Sequence, residues 1–210
     1  MIVIIDYGTG NLRSVEKALQ ALGIPSVITR SKTEIKNASG IILPGVGAFD
    51  PAINELRKVG LEDVILEEIA LKKPFLGICL GMQLLFSKSS EGEQSGLNVL
   101  KGTAKKFPAS SLSVPHMGWN RLIIKRPSPI LDGIESSAMM YFAHSYYVVP
   151  DEESIVSAET DYGINFASVI SKDNLFGIQF HPEKSSEAGL MLLKNFGKLC
   201  LKERTLNGKI

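Results

Sequence analysis

Ile2 to Ile5 form an uninterrupted apolar, β-branched run, and Asp6-Tyr7-Gly8-Thr9-Gly10-Asn11 behind it has the glycines and asparagine of a turn entering a helix. Leu12, Val15, Ala18, Leu19 and Leu22 then recur at helical spacing, and Gly23 stands where a helix stops. The alternation continues loosely: Ser26 to Thr29 and Gly40 to Leu43 read as strands, Ala52 to Lys58 and Leu61 to Leu71 as helices, and Phe75 to Cys79 as another buried strand. Strands alternating with helices predict a parallel sheet covered on both faces. Beyond about Asn98 the texture changes to short apolar runs with few helices between them, at Arg121 to Lys125, Met139 to Ala143, Tyr146 to Val149, Ala167 to Ile170 and Leu175 to Phe180. A last helix is expected from about Ser186 to Leu201, striped by Ala188, Met191, Leu192, Phe196 and Leu199, with Cys200 in core packing.

Composition narrows the class. A chain of 210 residues fits one compact α/β unit or a domain with a small appendage, not two unrelated large domains. Lys and Arg number 23 against 22 Asp and Glu, so no basic footprint favours nucleic acid or an anionic membrane. The opening MIVIIDYGTG lacks a basic n-region, a long apolar core and a small-residue cleavage site, so it reads as folded sequence rather than a secretory signal. Cys79 and Cys200 sit far apart in apolar contexts, which fits a reducing cytoplasm better than a disulfide framework.

The densest chemical signal is Phe75-Leu76-Gly77-Ile78-Cys79-Leu80-Gly81-Met82-Gln83, an apolar strand ending in Gly-x-Cys-x-Gly before a helical pattern. It has the shape of a nucleophile elbow, in which a sharp turn lifts the central side chain and flanking glycines let backbones crowd together. A free cysteine in an apolar run is otherwise an ordinary small hydrophobe. A cysteine nucleophile needs a base, and the histidines are His116, His144 and His181. His181 closes the buried run from Leu175 and precedes Pro182, which keeps it extended at a strand end, and Glu183 stands two residues on to orient its ring. Taken alone, His-Pro-Glu is also a common solvated turn. Gly40 to Gly47 supplies a second strand ending in a glycine-rich turn, whose Val46 or Gly47 N–H would join that of Leu80 in holding an oxyanion. Phosphate-binding and dinucleotide-binding glycine patterns are missing, with Arg13 where a third glycine would stand after Gly8 and Gly10, and no metal-ligand spacing occurs.

Pro-Gly-Val-Gly at a strand end, the Gly-Ile-Cys-Leu-Gly-Met-Gln elbow and a terminal Phe-His-Pro-Glu, in that order, resemble the class I, triad-type glutamine amidotransferases over nearly the whole chain. The opening Ile5-Asp6-Tyr7-Gly8-x-Gly10-Asn11, the central Pro115-His116-Met117-Gly118-Trp119-Asn120 and the ending Lys184-Ser185 resemble the branch that serves histidine synthesis. The resemblance implies one amidotransferase domain over 1–210, α/β and three-layered, with a mixed, mostly parallel central sheet flanked by helices and a smaller antiparallel region. It implies that Cys79 attacks the glutamine amide, that His181 moves the protons, that Glu183 orients His181, and that no cofactor is needed. Residues matching Gln83, Glu91, Ser145 and Tyr146 hold glutamine in similar enzymes, with Glu93 a rival to Glu91. It also implies a partner, a (β/α)8-barrel cyclase that uses the ammonia, docking at Asn11, Arg13, Trp119, Tyr141 and Lys184. A glycine-flanked oxyanion turn with two orientations would then gate turnover until the liganded partner binds. A glutaminase subunit of another amidotransferase pathway, a free-standing cysteine hydrolase or peptidase and a non-catalytic interaction module stay open at this point; glutaminase or peptidase turnover without a partner marks the second, and failure of Cys79 to react with a glutamine-like electrophile the third.

Overall fold

Strand β1 (Ile2–Ile5) is buried along its whole length, with Val3 and Ile5 entering one hydrophobic cluster and Ile2 and Ile4 another. The computed structural model describes residues 1–108 and 112–207, the last six as backbone. Helix α1 (Leu12–Ala21) follows, then β2 (Ser26–Thr29), α2 (Lys32–Asn37), β3 (Gly40–Gly45), α3 (Phe49–Lys58), α4 (Glu62–Ala70), β4 (Phe75–Cys79) and the short α5 (Leu80–Gln83). Local chemistry supports these elements. Ser31 Oγ accepts from the Glu34 N–H at the start of α2, and α3 carries Asp50 in its first turn and Arg57 and Lys58 in its last, matching the helix dipole.

The remaining strands are β5 (Phe86–Ser89), β6 (Leu100–Lys106), β7 (His116–Arg121), β8 (Ile123–Ile124), β9 (Met139–His144), β10 (Tyr146–Pro150), β11 (Val156–Asp161), β12 (Asn165–Lys172) and β13 (Leu175–Ile178), closed by α6 (Ser186–Asn207). The described residues form an 11-stranded sheet in which β2-β1-β3-β4-β13 run parallel and β12-β10-β6 continue antiparallel, with β5 beyond them parallel to β6. Strands β11 and β8 hang off β12, and β7 and β9 pair as a separate antiparallel ribbon. The antiparallel strands therefore mostly extend the central sheet instead of standing apart.

Helices α1 and α6 cover one face through Val15, Leu19, Leu192 and Phe196, and α3 and α4 cover the other through Ile53, Leu56, Val64 and Ile65. Each such aliphatic or aromatic side chain contributes about 1.5–3 kcal/mol on burial, so the sandwich fixes the carboxyl ends of β3, β4 and β13 side by side. Among the described residues no helix is long and apolar enough to cross a membrane. The run Arg121 to Lys125, expected as one strand, is divided. Arg121 ends β7, Leu122 is buried with its N–H donating to the Ala138 carbonyl, and Ile123 and Ile124 change partner to β11.

Candidate active site

Cys79 ends β4 with φ at +54°, a left-handed conformation unusual for a side chain with a Cβ, and begins α5. The turn is possible because two glycines let backbones touch. A Cβ on Gly81 would lie 1.8 Å from the Leu43 carbonyl oxygen, and one on Gly77 would lie 2.8 Å from the Gly81 oxygen. The strand-to-helix elbow expected from the sequence is thus the observed geometry. Beside it, the buried Tyr7 donates its hydroxyl proton to the Pro44 carbonyl at 3.0 Å and braces the entry to the turn Gly45-Val46-Gly47, in which Gly47 has φ +94°.

His181 follows β13, where its N–H donates to the Tyr141 carbonyl at 2.9 Å. Ser185 ties the same corner, donating to the His181 carbonyl at 2.6 Å and accepting from the Tyr141 N–H at 3.0 Å. The ring places Nδ1 3.0 Å from Glu183 Oε1 and lies near enough to Cys79 to interact with its sulfur, which also meets the Ala143 carbonyl at 4.0 Å. Burial disfavours the imidazolium, but the hydrogen bonds and charges of Cys79 and Glu183 outweigh it and hold His181 at about 10. Glu183 is itself enclosed, and Asn11 Nδ2 donates to its Oε1 at 3.4 Å. Asn11 stands at the N-cap of α1 without capping it; its Oδ1 accepts from Ser14 Oγ at 2.7 Å.

A cavity of about 350 Å³ opens in front of Cys79, lined by Val46, Gly47, Leu80, Gln83, Glu91, Met117, Ser145 and Tyr146. The seven residues expected for oxyanion and substrate binding are therefore brought around one space. Glu91 lines it while Glu93 is exposed; Glu91 Oε2 also accepts from the Phe49 N–H at 2.8 Å, capping α3. A larger cleft of about 760 Å³ between Ile124 and Leu199 lies away from these groups. Among the described residues no cluster of His, Cys, Asp and Glu is arranged to hold a metal ion.

Of the expected docking residues, Trp119 and Tyr141 are a cross-strand pair of the ribbon with ring centroids 6.0 Å apart, and Lys184 Nζ lies 5.6 Å above the Tyr141 ring. Arg13 is exposed and pairs with Glu16 at 2.8 Å. Three residues that the sequence reading left without a role also reach the site. Gln179 Nε2 lies 3.6 Å from Cys79 Sγ, and behind the cavity His116 and His144 share a 3.0 Å hydrogen bond. The histidines were visible as residues, and Gln179 as a polar position inside an apolar run.

The family model for class-I glutamine amidotransferases matches residues 3–199. Imidazole glycerol phosphate synthase subunit HisH of Caldanaerobacter subterraneus subsp. tengcongensis is 54% identical over 204 residues, covering 96% of this chain and 100% of the relative. The protein of the same name from Moorella thermoacetica is 54% identical over 199 residues, covering 94% of each chain. A solved glutamine amidotransferase shares the fold with a TM-score of 0.75 at 21% identity, covering 95% of this chain and 99% of that one. The chain belongs to the class-I glutamine amidotransferase family.

Proposed function

We propose that this chain is the glutaminase subunit of an imidazole glycerol phosphate synthase, hydrolysing glutamine to glutamate and ammonia in the cytoplasm for histidine biosynthesis. The observation that carries the chemistry is Cys79 at a strained elbow, facing the cavity beside an imidazole that is backed by a buried carboxylate. The Cys79 thiolate attacks the side-chain amide carbon, and N–H groups at Val46 or Gly47 and at Leu80 hold the oxyanion. His181 gives its proton to the departing nitrogen, leaving a γ-glutamyl thioester and ammonia. His181, now neutral, takes a proton from water as its oxygen bonds to the thioester carbon; the C–S bond then breaks, glutamate leaves, and the thiolate and the imidazolium are restored. Glu183 orients the ring throughout. Gln83, Glu91, Ser145 and Tyr146 bind the amino and carboxylate ends of glutamine.

Identity of 54% to subunits of imidazole glycerol phosphate synthase supports a partner subunit, and the family resemblance of the motifs is what suggests a (β/α)8-barrel cyclase in that place. The ribbon supports where it docks, because Met117, Trp119 and Met139 are exposed on its outer face beside Tyr141, Lys184 and Asn11. The test is glutamine hydrolysis by the chain with and without a cyclase subunit and its nucleotide ligand. Cys79→Ala is expected to abolish hydrolysis while the complex still forms product from added ammonium salt. Parallel loss of the ammonia-driven reaction would overturn the two-site reading, and full turnover without a partner would favour an independent hydrolase.

A further inference from the structure

Gln179 is fully buried immediately after β13, where an amide costs free energy unless its atoms are paired. Its pairing has a fixed direction. The Tyr146 carbonyl can only accept, so the Gln83 atom 2.9 Å from it is Nε2. The same Nε2 lies 3.1 Å from the Gln179 amide, so the Gln179 atom facing it must be the oxygen. That leaves the Gln179 Nε2 as the atom 3.6 Å from Cys79 Sγ, with an N–H aimed at sulfur. One backbone carbonyl thereby sets the polarity of two side chains and points a donor at the nucleophile from the side away from the cavity.

We propose that Gln179 is a further catalytic residue, its side-chain N–H donating to Cys79 Sγ so that the sulfur is held as thiolate and kept turned toward the cavity, with Gln83 as the positioning residue that orients it. The contact stands on its own geometry; the reaction it serves rests on the glutaminase reading. The titratable groups around this sulfur are His181 beyond β13, backed by Glu183, Tyr7 beyond β1, and His144 on β9 and Glu91 on the same cavity, while the Ala143 carbonyl, 4.0 Å away, accepts from the sulfur when it is a thiol. Tyr7 is neutral, at about 12, with its hydroxyl proton given to the Pro44 carbonyl, and His144 is neutral, at about 3, with its Nδ1 proton given to the Tyr146 carbonyl, so His181 and Gln179 are the side-chain donors left for the thiolate. In the hydrolytic cycle Gln179 transfers no proton. It stabilises negative sulfur before attack and again when the thioester is cleaved.

The test follows alkylation of Cys79 by iodoacetamide against pH in the full chain, with the modified peptide located by mass spectrometry. Gln179→Leu removes the donor, and Gln179→Glu keeps the size but sets a carboxylate against sulfur. A hydrogen bond to a charged group is worth roughly ten- to a hundredfold in an equilibrium, so the alkylation midpoint is expected to rise by about one unit or more in Gln179→Leu and further in Gln179→Glu. In the complex, kcat for glutamine should fall at least about tenfold with KM changed less than about threefold. An unchanged midpoint in a folded variant overturns the proposal. The unsubstituted chain gives a second reading that needs no variant to fold: the Gln179 side-chain amide proton should shift across the pH range in which Cys79 titrates, and a resonance indifferent to that titration equally overturns it. Absence of glutaminase activity in the unsubstituted complex, with the midpoint shifted as expected, would instead overturn the glutaminase reading and leave the contact standing.

Discussion

Glu183 shows how one side chain is divided between chemistry and architecture. Its Oε1 serves both the His181 ring and Asn11, and its Oε2 is buried without a hydrogen-bond partner. A carboxylate enclosed in this way is retained because it favours the imidazolium, whose value near 10 is set against burial by Cys79 and by Glu183 itself. Glu183→Gln keeps the volume and an oxygen for Nδ1 but removes the charge. The proton on His181 is then lost at lower pH, so the alkaline limb of kcat/KM should move to lower pH and turnover fall roughly 10²-fold, with glutamine affinity little altered. A pH-rate profile measures both. An alkaline limb that does not move would mean that Glu183 does not support the charged ring. Removal of Cys79 costs more, because it deletes the nucleophile rather than the support of its partner.

At the scale of elements, the site depends on three strand ends and the two glycine-dependent turns that leave them. Gly81 has no space for a methyl group, since its Cβ would meet the Leu43 backbone and α5 would have to lift from β3. Gly81→Ala should therefore destabilise by about 3 kcal/mol or more and lower the melting temperature by roughly 10 °C. An unchanged melting temperature would show that the elbow can relax. Gly47 is the contrasting case, with open space around its Cβ position but φ +94°. Gly47→Pro, which locks φ near −65°, should leave the fold intact and cost about 10²–10³ in turnover through the lost donor geometry, a result that equal turnover in the liganded complex would refute. These turns were legible in the sequence because they follow continuous apolar runs, Gly40 to Leu43 and Phe75 to Cys79, which are buried on both faces. Other elements carry no such signal. Strand β11 buries Ser157, Ala158 and Thr160 without an apolar alternation, β6 is interrupted by Gly102, and α2 buries Ile35 alone. The neighbourhood of Cys79, His181 and Glu183 was legible from motif spacing, whereas the Gln179 contacts to Gln83 and Cys79 join residues 96 and 100 positions apart and arise only when β4 and β13 align.

For the whole molecule, the ribbon of β7 and β9 is the part held least by sheet pairing, because it sits apart from the central ladder and packs through its inner face. That face presents His116, Phe142 and His144 to Phe107, Phe166 and Tyr162. A directed chain of hydrogen bonds runs beneath it. Asn120 Nδ2 donates to His116 Nε2 at 3.3 Å, His116 Nδ1 to His144 Nε2 at 3.0 Å, and His144 Nδ1 to the Tyr146 carbonyl at 2.8 Å. The direction follows from its two ends, since the Tyr146 carbonyl only accepts and Asn120 Nδ2, which also donates to the Asp161 carbonyl, only donates, and each ring must then be neutral with its proton on Nδ1. Burial enforces the same state, pushing His116 down to about 4 and, against the pull of the Tyr146 carbonyl, His144 down to about 3. Both folded values lie below the ordinary 6.5, so this stabilisation is complete above about pH 6.5 and is lost as the pH falls toward 4 and 3. Unfolding near pH 5 takes up two protons at these rings, which gives stability a slope approaching about 2.7 kcal/mol per pH unit there. Because Met117, Ala143 and His144 of the ribbon line the cavity in front of Cys79, protonation should release the ribbon and open that cavity before the central sheet melts. Urea titrations followed by Trp119 fluorescence for the ribbon and far-ultraviolet dichroism for the sheet should therefore separate on acidification. His144→Gln keeps a donor for the Tyr146 carbonyl and removes one of the two titrations, so it should halve the slope near pH 5. A slope unaltered by that substitution would place the acid sensitivity elsewhere in the molecule.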